Sequence, residues 1–192
     1  MTSRFDDALV YAHEVHRDQR RKGAEIPYIA HVLGVASLAL EYGASEDEAI
    51  GALLHDAAED GGGEARLAEI RARFGDEVAD IVLGCSDSLV ENPDEQRPWR
   101  QRKEAYIGHV EGASASVCLV SAADKMHNAR AVVRDYLADG DEVWGRVNGG
   151  RDGTLWYYRA IADALALRYR APITRDLQRL VDDLLALAVR GA

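Results

Sequence analysis

The sequence predicts an all-α fold, one compact helical domain spanning residues 1–192 with about nine to ten helices. Three observations carry that expectation. Apolar residues recur at helical rather than alternating spacing along most of the chain. Capping residues mark helix starts and glycines mark helix stops. No two β-rich runs are joined by a hairpin turn; Asn148-Gly149-Gly150 lies in a polar loop instead.

Ser3 is placed to cap the first helix, with Asp6 at its third helical position, and Phe5, Leu9, Ala12 and Val15 or His16 form its apolar stripe. A loop from Lys22 to Pro27, rich in Gly and Pro, follows. The second helix runs from about Ala30 to Tyr42 and stops at Gly43. Ser45-Glu46-Asp47-Glu48 reads as a capping box opening a third helix through Ala49, Ile50, Leu53 and Leu54, which runs on to Gly61-Gly62-Gly63. Further helical patterns cover about 64–74, 76–87, 98–111, 115–137, 154–169 and 174–190.

The chain carries 23 Lys+Arg against 33 Asp+Glu, a net charge of −10. That excess of acid argues against a general binder of nucleic acid or anionic membrane, which needs a basic balance or face. Cys85 and Cys118 have no metal-type spacing and fit a reducing compartment. Acids stand at the N-terminus where a signal peptide needs an apolar stretch, and no run approaches the roughly 18 apolar residues of a membrane span. A soluble, cytoplasmic protein is expected.

The densest cluster of metal-capable groups is His55-Asp56-Ala57-Ala58-Glu59-Asp60. On a helix, Glu59 follows His55 by one turn and Asp60 follows Asp56. Three acids then crowd a C-terminal turn, where the helix dipole disfavours negative charge, so a compensating cation is expected. His31 sits near the start of the second helix. Asp124 interrupts an apolar lead-in from Val117, with Lys125 or Arg130 as its alternative partner, His127 three residues on and Asn128 one turn beyond. Two imidazoles and two carboxylates form a mixed N/O set suited to Mn²⁺, Fe²⁺ or Zn²⁺.

In that order, His31, His55-Asp56 and Asp124 resemble the HD superfamily of metal-dependent phosphohydrolases. Four stretches narrow the likeness: Arg20-Arg21-Lys22-Gly23, Pro27-Tyr28-Ile29-Ala30-His31, Leu54-His55-Asp56-Ala57-Ala58-Glu59-Asp60 and Ala123-Asp124-Lys125-Met126-His127-Asn128-Ala129-Arg130. They look like the hydrolase domain of RelA/SpoT proteins, which removes the 3′-pyrophosphate of (p)ppGpp. The likeness covers roughly residues 4 to 170, and 192 residues leave no room for the synthetase and regulatory parts of the longer enzymes. A stand-alone small alarmone hydrolase is therefore expected.

The resemblance implies His31, His55, Asp56 and Asp124 as ligands of one divalent metal, usually Mn²⁺. It implies Glu59 and Asp60 as the acids that handle the attacking water and its proton, and Asn128 as a substrate contact. Arg21 and Lys22 match a basic pair beside the nucleotide. The spacing to His31 is one residue longer than the family's, which keeps Arg20 as a third candidate. Ala131 stands where the family often has a hydroxyl residue.

A pyrophosphate substrate also needs cations near the metal, whatever the family. Residues 17–22 and 97–103 each hold four, and Lys103, just ahead of a helical run, is the candidate of the second window. Arg21 can stack on a purine. Tyr157 or Tyr158 is a possible ribose or base contact by the resemblance, while His13, His16, Trp99 and Trp144 read as structural and His109 as a surface residue. The expected partner is a small nucleotide rather than a nucleic acid or a membrane. Alternatives are an HD-type enzyme acting on an NADPH 2′-phosphate, an adenine alarmone or a nucleoside monophosphate, and a non-catalytic nucleotide sensor that retains the metal.

Overall fold

Nine α-helices and two short 3₁₀ helices are found among the described residues, 1–90 and 92–190 of a computed structural model. They are α1 (Ser3–Val15), α2 (Ile29–Glu41), α3 (Glu46–Leu54), α4 (Gly63–Phe74), α5 (Asp76–Cys85), α6 (Trp99–Val110), α7 (Ala115–Asp139), α8 (Gly150–Arg168) and α9 (Pro172–Arg190). The 3₁₀ helices are Pro93–Glu95 and Gly140–Arg146. No strand occurs among the described residues; the nearest thing is an isolated bridge between Arg20 and Pro27. No described helix is long and apolar enough to cross a membrane.

Local signals explain most boundaries. Ser45 accepts the Glu48 backbone N–H while the Glu48 side chain accepts the Ser45 N–H, so the capping box that opens α3 is complete. Ser114 caps α7 through the Val117 N–H. α7 ends where Gly140 takes φ +62°, a conformation open to glycine at little cost.

Several boundaries differ from the sequence reading. Thr2, not Ser3, caps α1: its backbone is extended and its hydroxyl accepts the Arg4 N–H, whereas Ser3 is already helical. α8 begins at Gly150, four residues ahead of the expected start, because Gly150 at φ +59° turns the polar loop directly into the helix. The largest difference concerns 55–62. α3 stops at Leu54, and His55 through Gly62 form a chain of turns rather than a helical continuation. His55 caps the helix and its ring reaches back to the Ala52 carbonyl, while the acids that follow would oppose the helix dipole.

One connected apolar core draws on every α-helix. α7 runs through its middle, touching α2, α3, α5, α8 and α9. Its stretch from Val117 to Asp124 is buried on all sides, so the chain carries a carboxylate into the interior at the point where α2 and the end of α3 meet it. α9 closes the opposite side with Ile173, Leu177, Val181 and Leu184 fully buried.

Candidate active site

His31 is the third residue of α2, His55 caps α3, Asp56 follows in the turn, and Asp124 comes from the middle of α7. The four converge. His31 Nε2 lies 3.3 Å from Asp56 Oδ2 and 3.3 Å from Asp124 Oδ1. His55 Nε2 lies 3.0 Å from Asp56 Oδ2 and 3.6 Å from Asp124 Oδ1. His31, His55 and Asp56 alone already offer three ligand atoms within 4.8 Å of one another.

The outer contacts fix which atoms face inward. The His55 Nδ1–H donates to the Ala52 carbonyl at 2.8 Å, which leaves Nε2 as the nitrogen that faces the two carboxylates, to bear a proton or to bind a metal. His31 Nδ1 lies 2.9 Å from His127 Nδ1. Burial, then the charges of His31 and Arg21, push His127 down to about 4 and keep it neutral. The Tyr28 hydroxyl donates to Asp56 Oδ2 at 2.6 Å. Lys125 pairs with Asp124 Oδ2, and the Asn128 amide donates to Asp124 Oδ1. Outer-shell bonds of this type orient metal ligands and set their basicity.

Two imidazole nitrogens and two carboxylates this close would repel as lone pairs, so either protons or a metal cation must lie among them. Both Nε2 atoms are buried and lack an aligned hydrogen-bond partner, although carboxylate oxygens approach within 3.6 Å. Burial works against charge on His55, yet Asp56 and Asp124 outweigh it and raise its pKa well above the usual range. Burial likewise opposes ionisation of both acids, but the His55 charge holds Asp56 low and the Lys125 ammonium holds Asp124 low. The centre demands positive charge, and its N₂O₂ donor set fits a divalent ion.

Glu59 and Asp60 lie beside this centre in different settings. Burial, then the negative charges of Asp87 and Asp56, push the Glu59 carboxyl up to about 7, and the Asp87 backbone N–H donates to it at 2.9 Å. Asp60 reaches solvent, but desolvation by the surrounding wall and the Asp56 charge still raise its carboxyl; the Gln19 amide counters this at 2.8 Å.

A cleft of about 970 Å³ opens over His31 and Asp60 and runs between the 21–28 loop, α7, the 3₁₀ turn at 140–146 and the start of α8. Arg21, Lys22, Lys103, Asn128, Tyr157 and Tyr158 all line it; Arg20 is exposed and does not. Arg21 donates to the Asn128 side-chain oxygen Oδ1 at 2.6 Å and lies 5.6 Å from the centre of the Tyr28 ring. Lys22 bonds Asn148. Tyr157 is buried with an unpartnered hydroxyl.

Of the eight cations in the two dense windows, only Arg21, Lys22 and Lys103 line the cleft. Asp87, buried behind the wall, pairs with both Arg102 and Lys103, and Arg100 stacks on Trp156. Sequence reasoning missed Asp87, a single acid in a non-helical stretch with no motif around it. It also missed Arg134 and Arg146, which line the cleft from outside the windows, Arg146 with its side chain against Gly23. Trp99, read as packing, packs against Gly149 and Gly153 and also lines the wall; Trp144 is buried, and His109 and His13 are exposed.

The family model for the HD domain matches residues 8–155. The guanosine-3′,5′-bis(diphosphate) 3′-pyrophosphohydrolase MESH1 of Xenopus tropicalis is 37% identical over 131 residues, 67% of this chain and 69% of that protein. MESH1 of Drosophila melanogaster is 32% identical over 132 residues, with the same shares covered. A probable enzyme of the same name from Synechocystis is 31% identical over 182 residues, 91% of this chain, which spans only 23% of that longer protein. A solved metazoan ortholog of SpoT, described as hydrolyzing ppGpp, superposes with a TM-score of 0.75 at 26% identity, covering 97% of this chain and 96% of its own. A crystal structure from Listeria monocytogenes gives 0.69 at 31% identity, covering 81% and 99%.

Proposed function

The chain belongs to the HD-domain family, and on that premise we propose that it is a metal-dependent phosphohydrolase that removes the 3′-pyrophosphate of guanosine alarmones, releasing GDP or GTP. The relatives that bear that activity in their names match it across most of its length. The observation that carries the reading is the pair of buried, unpartnered Nε2 atoms facing two carboxylates, reached through His31 from a cleft that also presents Asp60 and five cations. In this reading residues 1–192 form one HD-type domain. Its two free cysteines accord with a cytoplasmic location.

His31, His55, Asp56 and Asp124 would hold one divalent ion, Mn²⁺ in keeping with the resemblance. When bound, such an ion supplies positive charge that makes a water more acidic and draws charge from a phosphoryl oxygen. The remaining work falls to the chain. Asp60 orients the attacking water from the cleft side, and Glu59, titrating near 7, exchanges its proton. Arg21 and Lys22 meet the phosphates, with Arg21 already held by the Asn128 side chain beside the Tyr28 ring. Lys103 faces the cleft as half of a pair with Asp87, so its net pull on a phosphate is weaker than that of Lys22. The Tyr157 hydroxyl is a ready donor for ribose or base.

A side-by-side assay of ppGpp, pppApp, NADPH and nucleoside monophosphates in Mn²⁺ tests the substrate. Fastest turnover of ppGpp is expected; faster release of phosphate from NADPH would replace the alarmone by a 2′-phosphate substrate. Tight ppGpp binding without turnover would leave a sensor instead.

A further inference from the structure

His16 and Gln19 lie outside the four-ligand centre, yet a continuous chain of hydrogen bonds links them to it. His16 caps α1 and is buried, 1% exposed, with its ring against Tyr28 at 5.0 Å between centres. Its Nδ1 lies 2.6 Å from Gln19 Oε1, and Gln19 Nε2 donates to Asp60 Oδ2 at 2.8 Å. The direction of this chain is set by its end. A carboxylate only accepts, so the Gln19 amide must turn its NH₂ to Asp60 and its oxygen to His16. His16 must then carry its proton on Nδ1, and its Nε2 is left buried without a partner.

The Gln19 backbone is held as firmly as its side chain. Its N–H donates to the His16 carbonyl at 3.1 Å, and its own carbonyl accepts the Tyr28 N–H at 2.9 Å. One side chain therefore spans from the end of α1 to the Asp60 carboxylate with both ends tied. Among the described residues, the one polar contact of the buried His16 ring is used to orient that amide.

We propose that Gln19 and His16 are positioning residues that hold the Asp60 carboxylate in one orientation at the cleft. The proposal rests on the reading of Asp60 as an acid that handles the attacking water. Asp60 also feels Asp56, His55 and His16, and among the described residues Gln19 supplies the one side-chain hydrogen bond to its carboxylate.

The test combines the metal-free protein and the enzyme. In the metal-free protein, the Asp60 carboxyl is titrated by ¹³C NMR in the wild type, Gln19→Leu, Gln19→Asn, His16→Leu and His16→Asn. Gln19→Asn keeps an amide but is one methylene too short to reach both partners. His16→Asn retains an N–H close to the Nδ1 position. The Asp60 midpoint is expected to rise by roughly half a pH unit or more in Gln19→Leu, Gln19→Asn and His16→Leu, and to stay put in His16→Asn. With ppGpp, the first three should lose roughly tenfold or more in kcat with KM and Mn²⁺ affinity within about twofold, and the acid limb of the pH profile should move up. An unmoved Asp60 midpoint in both Gln19 variants overturns the proposal. An effect in the Gln19 variants but none in His16→Leu overturns the part assigned to His16. Failure of the wild type to hydrolyse ppGpp would overturn the alarmone reading, while the NMR titration still decides the positioning role.

Discussion

At the scale of single residues, the acids of this site do different work because their surroundings differ. Asp56 and Asp124 are held as anions by His55 and by Lys125, whereas Glu59 sits among Asp56, Asp87 and a desolvating wall and titrates near 7. The sign for stability follows. A carboxyl raised from 4.5 to about 7 binds more proton in the folded state, so the folded protein loses stability as pH rises through that window and carries the full cost above it. Glu59→Gln is therefore expected to raise the Tm of the metal-free protein at pH 8 by about 2–8 °C, with little change at pH 4. A calorimetric scan at the two pH values checks it; an equal effect at both would mean that Glu59 is not strained by its charge. The same variant is expected to hydrolyse ppGpp at least about 100-fold more slowly. These residues were legible from the sequence because their order and spacing are distinctive. Asp87 was not, since a buried acid in an irregular stretch looks like any surface acid until its two cationic partners are seen.

At the scale of elements, the site depends on how closely helices approach. A Cβ on Gly34 of α2 would lie 2.4 Å from the His127 ring, and one on Gly84 of α5 would lie 2.5 Å from Val117 of α7. Both helices pack on α7, but only the first contact touches the ring that meets His31. Gly34→Ala and Gly84→Ala should each cost about 1–3 kcal/mol of stability by overpacking. Only Gly34→Ala should also weaken Mn²⁺ binding, by about tenfold or more, because the partner of His31 is displaced. Urea unfolding and Mn²⁺ calorimetry on the two variants separate these effects; equal loss of metal affinity in both would show that the His31–His127 contact is not what matters. Element types were readable because apolar spacing and caps are local signals. The end of α3 was not, since a run of Ala and acids looks helical until the side chain of His55 turns back on Ala52.

At the scale of the whole molecule, a net charge of −10 coexists with a cleft presenting Arg21, Lys22, Lys103, Arg134 and Arg146. Sequence windows found cations by density, but facing is decided by helix phase and loop path, so five of eight turned elsewhere. The cleft also holds Asp135 and Asp139, and Arg146 is tied to Asp139, so phosphate attraction falls mainly to Arg21, which reaches Asp124 through Asn128, and to Lys22. KM for ppGpp is accordingly expected to rise about threefold or more between roughly 0.05 and 0.2 M salt, with kcat little changed. A KM indifferent to salt would remove these cations from substrate binding. In the proposed reaction, four residues from α2, the end of α3 with its following turn, and α7 act as one metal centre that cleaves a 3′-pyrophosphate. Pyrophosphate and GDP release from ppGpp is to be followed for wild type and Asp124→Ala, with Mn²⁺ and with a chelator. Stoichiometric pyrophosphate and GDP from the wild type in Mn²⁺, lost on chelation and lost in Asp124→Ala together with Mn²⁺ binding, is the predicted result; turnover that survives the chelator, or an Asp124→Ala protein that keeps both metal and activity, would contradict it.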